Sequence, residues 1–404
     1  MKILLIADGR SPITKHWIES LKRLGTEVVL VSSYPCSRPD NVDDFYCIPA
    51  AFAQYGGNQS GSSGGNTSDA SEMRSQIVKD FRPLLMKIRY ILGPLTLPFS
   101  RIELNRIIHR TKPDIVHALR IPFEGMLAAD IPNHIPFAVT IWGNDLTLHA
   151  HGSWLMKHMT IKTLERADGL AADTRRDIRL GKMWGFNPNG KTLVVPGSGG
   201  IPFTELRITA LQNQDQLVWL PLDKNVVVNP RGFRPGSVRN DTFFQSIPLI
   251  LQECPNTVFV CFAMADQPEA LSWVEKLNIS RNVILLPFQP QPVLWAIYEK
   301  ARVSVSVSEH DGTPNSLLEA MTCGCFPVVG DIESMREWIT PGINGLLVDP
   351  SNPGQLAAAV ITALQNDQLR ESAADINQKI IQERAEISVV STQIEIFYQQ
   401  LISK

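Results

Sequence analysis

Ser306-Val307-Ser308-Glu309-His310-Asp311-Gly312-Thr313-Pro314-Asn315-Ser316-Leu317-Leu318-Glu319-Ala320-Met321 is the stretch on which the reading of this chain turns. A buried strand ends at Val307, a turn follows at Gly312, and Pro314 suits the first turn of a helix carrying Leu317, Leu318 and Met321. Amides at a helix start lack intrahelical partners, and with the helix dipole they stabilise an anionic pyrophosphate without a metal. Gly312, Thr313, Pro314 and Asn315 are therefore candidate donor contacts, Gly312 because a missing side chain lets a ligand approach the backbone. Glu319, two turns along, suits a ribose diol, and Asp311 in the turn can reach a sugar hydroxyl. At an arbitrary strand-helix junction the same two acids would be a cap and an exposed helical carboxylate.

Strand and helix alternate outward from this segment. Asn225–Val228, Thr257–Phe262, Val283–Leu286 and Val303–Val307 are apolar runs separated by helical patterns. An earlier alternation runs through Ile3–Ala7, a helix with Trp17, Ile18, Leu21 and Leu24, then Val28–Val31, Asp114–His117, Ala138–Ile141, Gly169–Ala172 and Leu193–Val195. The pattern predicts an α/β protein of two Rossmann-like doubly wound domains, 1–198 and 199–375, with closing helices at 376–404 packing back toward the first. Gly197–Gly200 reads as the hinge. The Gly-, Ser- and Asn-rich stretch at about 54–72 reads as a mobile insertion, because it has too few apolar residues to bury. Ligands in such sheets sit at the carboxyl ends of the strands, so two facing domains are expected to share a central cleft.

With 404 residues, 44% of them hydrophobic, the chain exceeds what one core usually organises. A formal net charge of -2 provides no global field for a polyanion, which argues against nucleic acid as the main partner. The six cysteines form no CxxC pair, there is no DxD triad, and the thiols read as reduced core residues, so no metal is expected. The first apolar run is too short for a signal peptide, and no uninterrupted apolar run reaches about eighteen residues. A cytoplasmic protein, soluble or peripheral at the membrane's inner face, is expected. The basic stretch 74–112 interleaves Lys and Arg with apolar residues and suits either contact with an anionic membrane or ordinary packing on the sheet.

The Asp311 to Glu319 string resembles the acidic-x7-acidic signature of glycosyltransferase family 4, whose retaining members have the GT-B fold. Gly324, Pro327, Val328, Val329, Asp331, Glu337, Asn344 and Gly345 follow the same pattern, densest from about 225 to 350. The resemblance implies a nucleotide diphosphate-sugar donor of UDP or GDP type, a glycan or lipid-linked acceptor, and no cofactor. It also implies that Glu319 holds the nucleotide ribose and that Asp311, where the family usually has Glu, contacts the donor sugar. In the basic loop Asn229–Asn240, Arg231 matches the family's diphosphate-binding Arg. The accompanying Lys is missing; Arg239 is favoured over Arg234 as its substitute because it stands just before the next helix, and a guanidinium can hold phosphate bidentately.

In the first half, the strand ending in His117 looks like the family's histidine-bearing strand, with Leu119 at the second histidine position. Gly9 matches a Gly-Gly turn near the phosphates, and Asp145, after Trp142-Gly143-Asn144, is a candidate acceptor contact. His117, Asp311 and Asp145 are thus the candidate catalytic residues; Gly9, Arg231, Arg239, Gly312, Thr313, Pro314, Asn315 and Glu319 are the candidate donor contacts. The implied chemistry is retaining transfer in which the donor phosphate takes the acceptor's proton, in a polysaccharide or surface-glycan pathway. A nicotinamide enzyme is disfavoured, since GxGxxG is absent after the first strand and Ser32-Ser33-Tyr34 follows the second. A catalytically silent nucleotide-sugar-binding GT-B protein is the remaining alternative.

Overall fold

Runs such as Ile3-Leu4-Leu5-Ile6 and Val226-Val227-Val228 are buried along their whole length, as strands covered by helices on both faces must be. In this computed structural model, which describes residues 1–55, 82–234 and 236–403, they nucleate two parallel sheets. The chain divides into two compact units, Met1–Gly199 with Ser391–Lys404, and Gly200–Val390.

In the first unit, β1 (Lys2–Ala7), β2 (Glu27–Ser32), β3 (Asp44–Cys47), β4 (Ile115–Ala118), β5 (Phe137–Ile141), β6 (Gly169–Ala172) and β7 (Lys191–Val194) lie in the order β3-β2-β1-β4-β5-β6-β7. Every pair is parallel, with Leu5 opposite His117 and Ile6 opposite Ala118 at the centre. The second unit repeats the plan with β8 (Asn225–Asn229), β9 (Thr257–Cys261), β10 (Val283–Leu285), β11 (Val303–Ser306), β12 (Phe326–Gly330) and β13 (Leu346–Val348), ordered β10-β9-β8-β11-β12-β13. Strand order reverses between β1 and β4 and again between β8 and β11, where the outgoing loops diverge and open a crevice at the carboxyl ends.

Six helices bear on the sites: α1 (Pro12–Arg23), α2 (Arg82–Thr111), α3 (Asn240–Glu253), α4 (Gln291–Lys300), α5 (Asn315–Thr322) and α6 (Ile387–Ile402). Pro314 takes the N-cap position of α5, not its first turn, with Asn315 as the first helical residue. Along α2, Leu97, Leu104, Ile107 and Ile108 are buried, whereas Leu85, Ile88, Leu92, Leu95, Phe99 and Ile102 stay exposed at alternating spacings of three and four. The insertion expected at about 54–72 lies outside the described residues from 56 onward, as does the basic stretch before residue 82. Residues 376–390, grouped from sequence with the closing helices, belong to the second unit. Four cysteines are core residues, but Cys36, in the loop after β2, is half-buried and Cys47, at the end of the edge strand β3, is exposed.

Candidate functional site

The crevice of the second unit is built by two loops stitched together. Asn229, the last residue of β8, accepts a hydrogen bond from the Arg231 amide at 3.1 Å, and Asn240 at the start of α3 donates to Gly232 O at 2.8 Å. Glu309 N donates to Ser237 O at 2.8 Å and Arg239 N to Val307 O at 2.9 Å, which ties the loop after β8 to the loop after β11. Gly330 makes this possible from below: a Cβ there would lie 2.4 Å from Ser308 O.

On this frame Arg231, buried, forms an ion pair with Asp311 and reaches Ser316 Oγ at 3.5 Å. Asp311 also accepts from the Gly312 amide at 3.1 Å and from Ser308 Oγ at 3.2 Å. Its carboxylate therefore organises the turn and fixes a guanidinium beside the first turn of α5. Trp338 Nε1 donates to Thr313 Oγ1 at 2.9 Å from beneath the same turn. Arg234 is exposed, yet repulsion from the Arg231 charge draws its pKa down to about 10, with Asp311 opposing. Two guanidiniums thus feel each other here, a feature that an oxyanion would relieve. Arg239 is placed differently, between Asp241 at 2.9 and 2.8 Å and Glu309 at 2.7 Å, and both carboxylates raise its pKa.

Glu319 is buried one turn from the carboxyl end of α5, where Gln291 of α4 donates to its Oε1 at 2.7 Å. Burial raises its pKa, while Gln291 and the nearby Trp295 indole pull it down. The Trp295 Nε1–H completes no hydrogen bond of good geometry, so both partners keep capacity for a third group. Among the described residues no three His, Cys, Asp or Glu side chains are grouped as a metal ion would need, and no helix is long and apolar enough to cross a membrane.

The first unit places its sequence candidates deep in the fold. His117 has no exposed surface; Nδ1 meets the Tyr398 hydroxyl at 2.6 Å and Nε2 meets Thr140 Oγ1 at 2.8 Å. Trp17 of α1 packs edge-on against its ring and donates to the same Tyr398 hydroxyl at 3.2 Å. Burial lowers the His117 pKa to about 3, so the ring is neutral and serves to anchor α6 on the sheet. Asp145 is likewise buried, accepting from the amides of Trp142 at 3.1 Å and Ile121 at 3.3 Å and from Arg120 Nε at 2.8 Å. It therefore positions Arg120. Gly9 is needed for packing: its amide donates to Ser32 Oγ at 3.1 Å, and a Cβ would meet Cys36 Sγ at 2.8 Å.

The structure thus brings Arg231, Asp311, Gly312, Thr313, Pro314 and Asn315 to one crevice with Glu319 on the helix beyond, and sets Arg239 to one side within a carboxylate pair. Sequence reasoning missed Gln291 and Trp295, which come from another helix and carry no local signal. It also missed Arg120, whose position just past the end of β4 was a usable one.

Two family profiles match parts of the chain: "Glycosyl transferases group 1" over residues 241–380 and "Glycosyl transferase 4-like" over residues 67–174. Among curated proteins, an O-antigen chain mannosyltransferase B of Escherichia coli is 34% identical over 88 residues, covering 22% of this chain and 23% of that protein. A D-inositol 3-phosphate glycosyltransferase of Corynebacterium urealyticum is 27% identical over 195 residues, 45% of each chain. The matched region spans half or less of the curated relatives' own length.

Solved structures match end to end. Sucrose-phosphate synthase from Thermosynechococcus elongatus gives a TM-score of 0.73 at 15% identity, covering 100% of this chain and 99% of that one. Anabaena HepE in complex with UDP and glucose gives 0.72 at 16% identity, covering 99% and 100%. The fold is GT-B, two Rossmann-like domains, and two parts of the chain are similar to glycosyl transferase profiles.

Proposed function

We propose that this protein transfers a sugar from a nucleoside diphosphate-sugar, UDP or GDP type, to a glycan or lipid-linked acceptor, as a retaining family 4-like enzyme that uses no metal. The observation that carries the reading is the pairing of Arg231, at the end of β8, with Asp311, at the end of β11, beside the first turn of α5. In this reading the diphosphate lies against Arg231 and the helix amides, which neutralise its charge as it departs. Arg234, not Arg239, supplies the second guanidinium, because Arg239 is already held by Asp241 and Glu309. Glu319 receives the ribose hydroxyls, with Gln291 orienting its carboxylate. Asp311 acts through Arg231 and the turn, and His117 and Asp145 act as positioning residues inside the first unit.

The exposed apolar residues of α2, accompanied by the exposed Lys87, Arg106 and Arg110, support contact with an anionic membrane on the cytoplasmic side. The donor reading is tested by calorimetry of UDP and GDP in EDTA. One of them is expected to bind, and Glu319→Ala to weaken it by ~1–3 kcal/mol, the cost of lost hydrogen bonds to a charged group. Binding of neither, or binding only with a divalent ion, sinks the metal-free donor site and favours a protein that does not transfer sugar.

A further inference from the structure

The reversal between β1 and β4 leaves a cavity of about 180 Å³ inside the first unit. None of the residues given donor or catalytic roles above lines it. Two guanidiniums do. Arg120, held by Asp145, lies 5.2 Å over the Trp142 ring and remains partly exposed. Arg89 of α2 sits 4.6 Å from the Phe123 ring and 5.3 Å from the Tyr34 ring.

Arg89 has no carboxylate partner among the described residues, and its Nε–H is buried without an acceptor. Aromatic faces attract a guanidinium but do not accept its in-plane N–H donors, so a buried one left open is costly unless a ligand fills it. The acids around the cavity are already committed. Asp8 pairs with Arg10 at 3.0 Å, and Asp145 with Arg120. Glu124 is buried against Ser33 Oγ at 2.6 Å, and burial lifts its pKa to about 8. It is mostly neutral at pH 7. His149 is hydrogen-bonded to the Tyr90 hydroxyl at 2.6 Å, and burial lowers its pKa to about 4, so it is neutral as well.

The backbone is bent to build this wall. Phe123 has φ 66, in the left-handed region that a bulky residue avoids, within the irregular turn Ile121–Gly125 that follows β4. That strained position puts its ring under Arg89 and Glu124 beside the cavity.

We infer that this cavity binds a phosphorylated acceptor, with the phosphate held between Arg89 and Arg120. The designation of the ligand as acceptor rests on the transferase reading; the phosphate chemistry rests on the cavity alone. A phosphate has oxygens enough to serve both guanidinium forks, whereas a carboxylate serves one bidentately. The same chemistry can arrive on a soluble sugar phosphate or on a lipid head group.

The test titrates the full chain with glucose 6-phosphate and with glucose, and in parallel floats it on phosphatidylglycerol and phosphatidylcholine vesicles. Glucose 6-phosphate is expected to bind where glucose does not, Arg89→Gln to weaken it about tenfold, and Arg89→Lys to restore part of the loss. If only phosphatidylglycerol vesicles show the Arg89 dependence, with Lys191→Gln, an exposed cation of β7 away from α2 and from the cavity, having a smaller effect, the phosphate comes from a lipid. Indifference of both probes to Arg89 in a variant with an unchanged thermal midpoint overturns the inference. UDP and GDP titrations of the same samples separate the two readings. If the wild type fails to bind either while Arg89-dependent phosphate binding persists, the transferase reading falls and the cavity's chemistry stands.

Discussion

The two strand-order reversals have the same topology and hold different chemistry. Between β8 and β11 the crevice is closed by its own ion pair, Arg231 with Asp311, and the charge nearby is cationic because Arg234 crowds Arg231. Between β1 and β4 the corresponding loops leave an open cavity, where one guanidinium is tied to Asp145 and another rests on aromatic rings. A doubly wound sheet fixes where a ligand sits, while the loops decide which ligand it is. Loop residues at the first reversal are irregular and strained, and those at the second are anchored by Asn229, Asn240 and Ser308.

The largest effect should follow from breaking the second crevice. Arg231→Ala leaves Asp311 partly buried without its partner, so a loss of roughly 3 kcal/mol in stability is expected together with loss of diphosphate binding. Urea unfolding and calorimetry read the two. A variant that binds UDP or GDP like the wild type would show that the pair is only structural.

Acidification probes the first unit instead. His117 has a folded-state pKa of about 3, below its ordinary value near 6.5. Its stabilising contribution is full above pH 6.5 and is lost as pH falls from there toward 3, because the unfolded chain takes up the proton first. The loss should amount to a few kcal/mol at the acid end, and Tyr398→Phe, which removes the hydroxyl on Nδ1, should destabilise the protein already at pH 7 by about 1 kcal/mol. Unfolding followed at pH 7, 5 and 4 measures both. Equal midpoints for wild type and Tyr398→Phe would mean that the buried cluster does not hold α6.

The smallest effect concerns Glu124. Its pKa is raised, so its contribution is complete below about 4.5 and declines as pH rises toward 8. Glu124→Gln keeps a partner for Ser33 and removes the titration, so its stability should change less between pH 5 and 8 than that of the wild type. Identical pH slopes in the two proteins would show that Glu124 ionises normally and that the cavity is less positive than inferred.

Both parallel sheets were legible because their central strands are continuous apolar runs with turn residues after each. Strands β3, β12 and β13 were not: Asp44-Phe45-Tyr46-Cys47 is half polar, Phe326–Gly330 carries Pro327, and Leu346–Val348 has three residues, so pairing to a neighbour, not a plain apolar run, makes them strands. At the second crevice, Arg231, Asp311 and the start of α5 could be read because they lie within a few residues of strand ends. The preference for Arg239 over Arg234 drew on chain position alone. Holding Arg239 between two carboxylates required Glu309, seventy positions away, which no local pattern reveals.

Sequence by itself determined the alternation of strand and helix, the division into two doubly wound units, and the acidic-x7-acidic string, since each depends on periodicity or on residues adjacent in the chain. Tertiary structure decided which of those side chains keep a free face. His117 and Asp145 looked like site residues and are enclosed by Tyr398, Thr140 and Arg120, whereas Arg89, read only as one cation of the basic stretch 74–112, and Glu124, not singled out in the sequence, line one cavity. Burial and partner choice are properties of packing between distant segments, and a side chain's chemistry follows from them as much as from its identity.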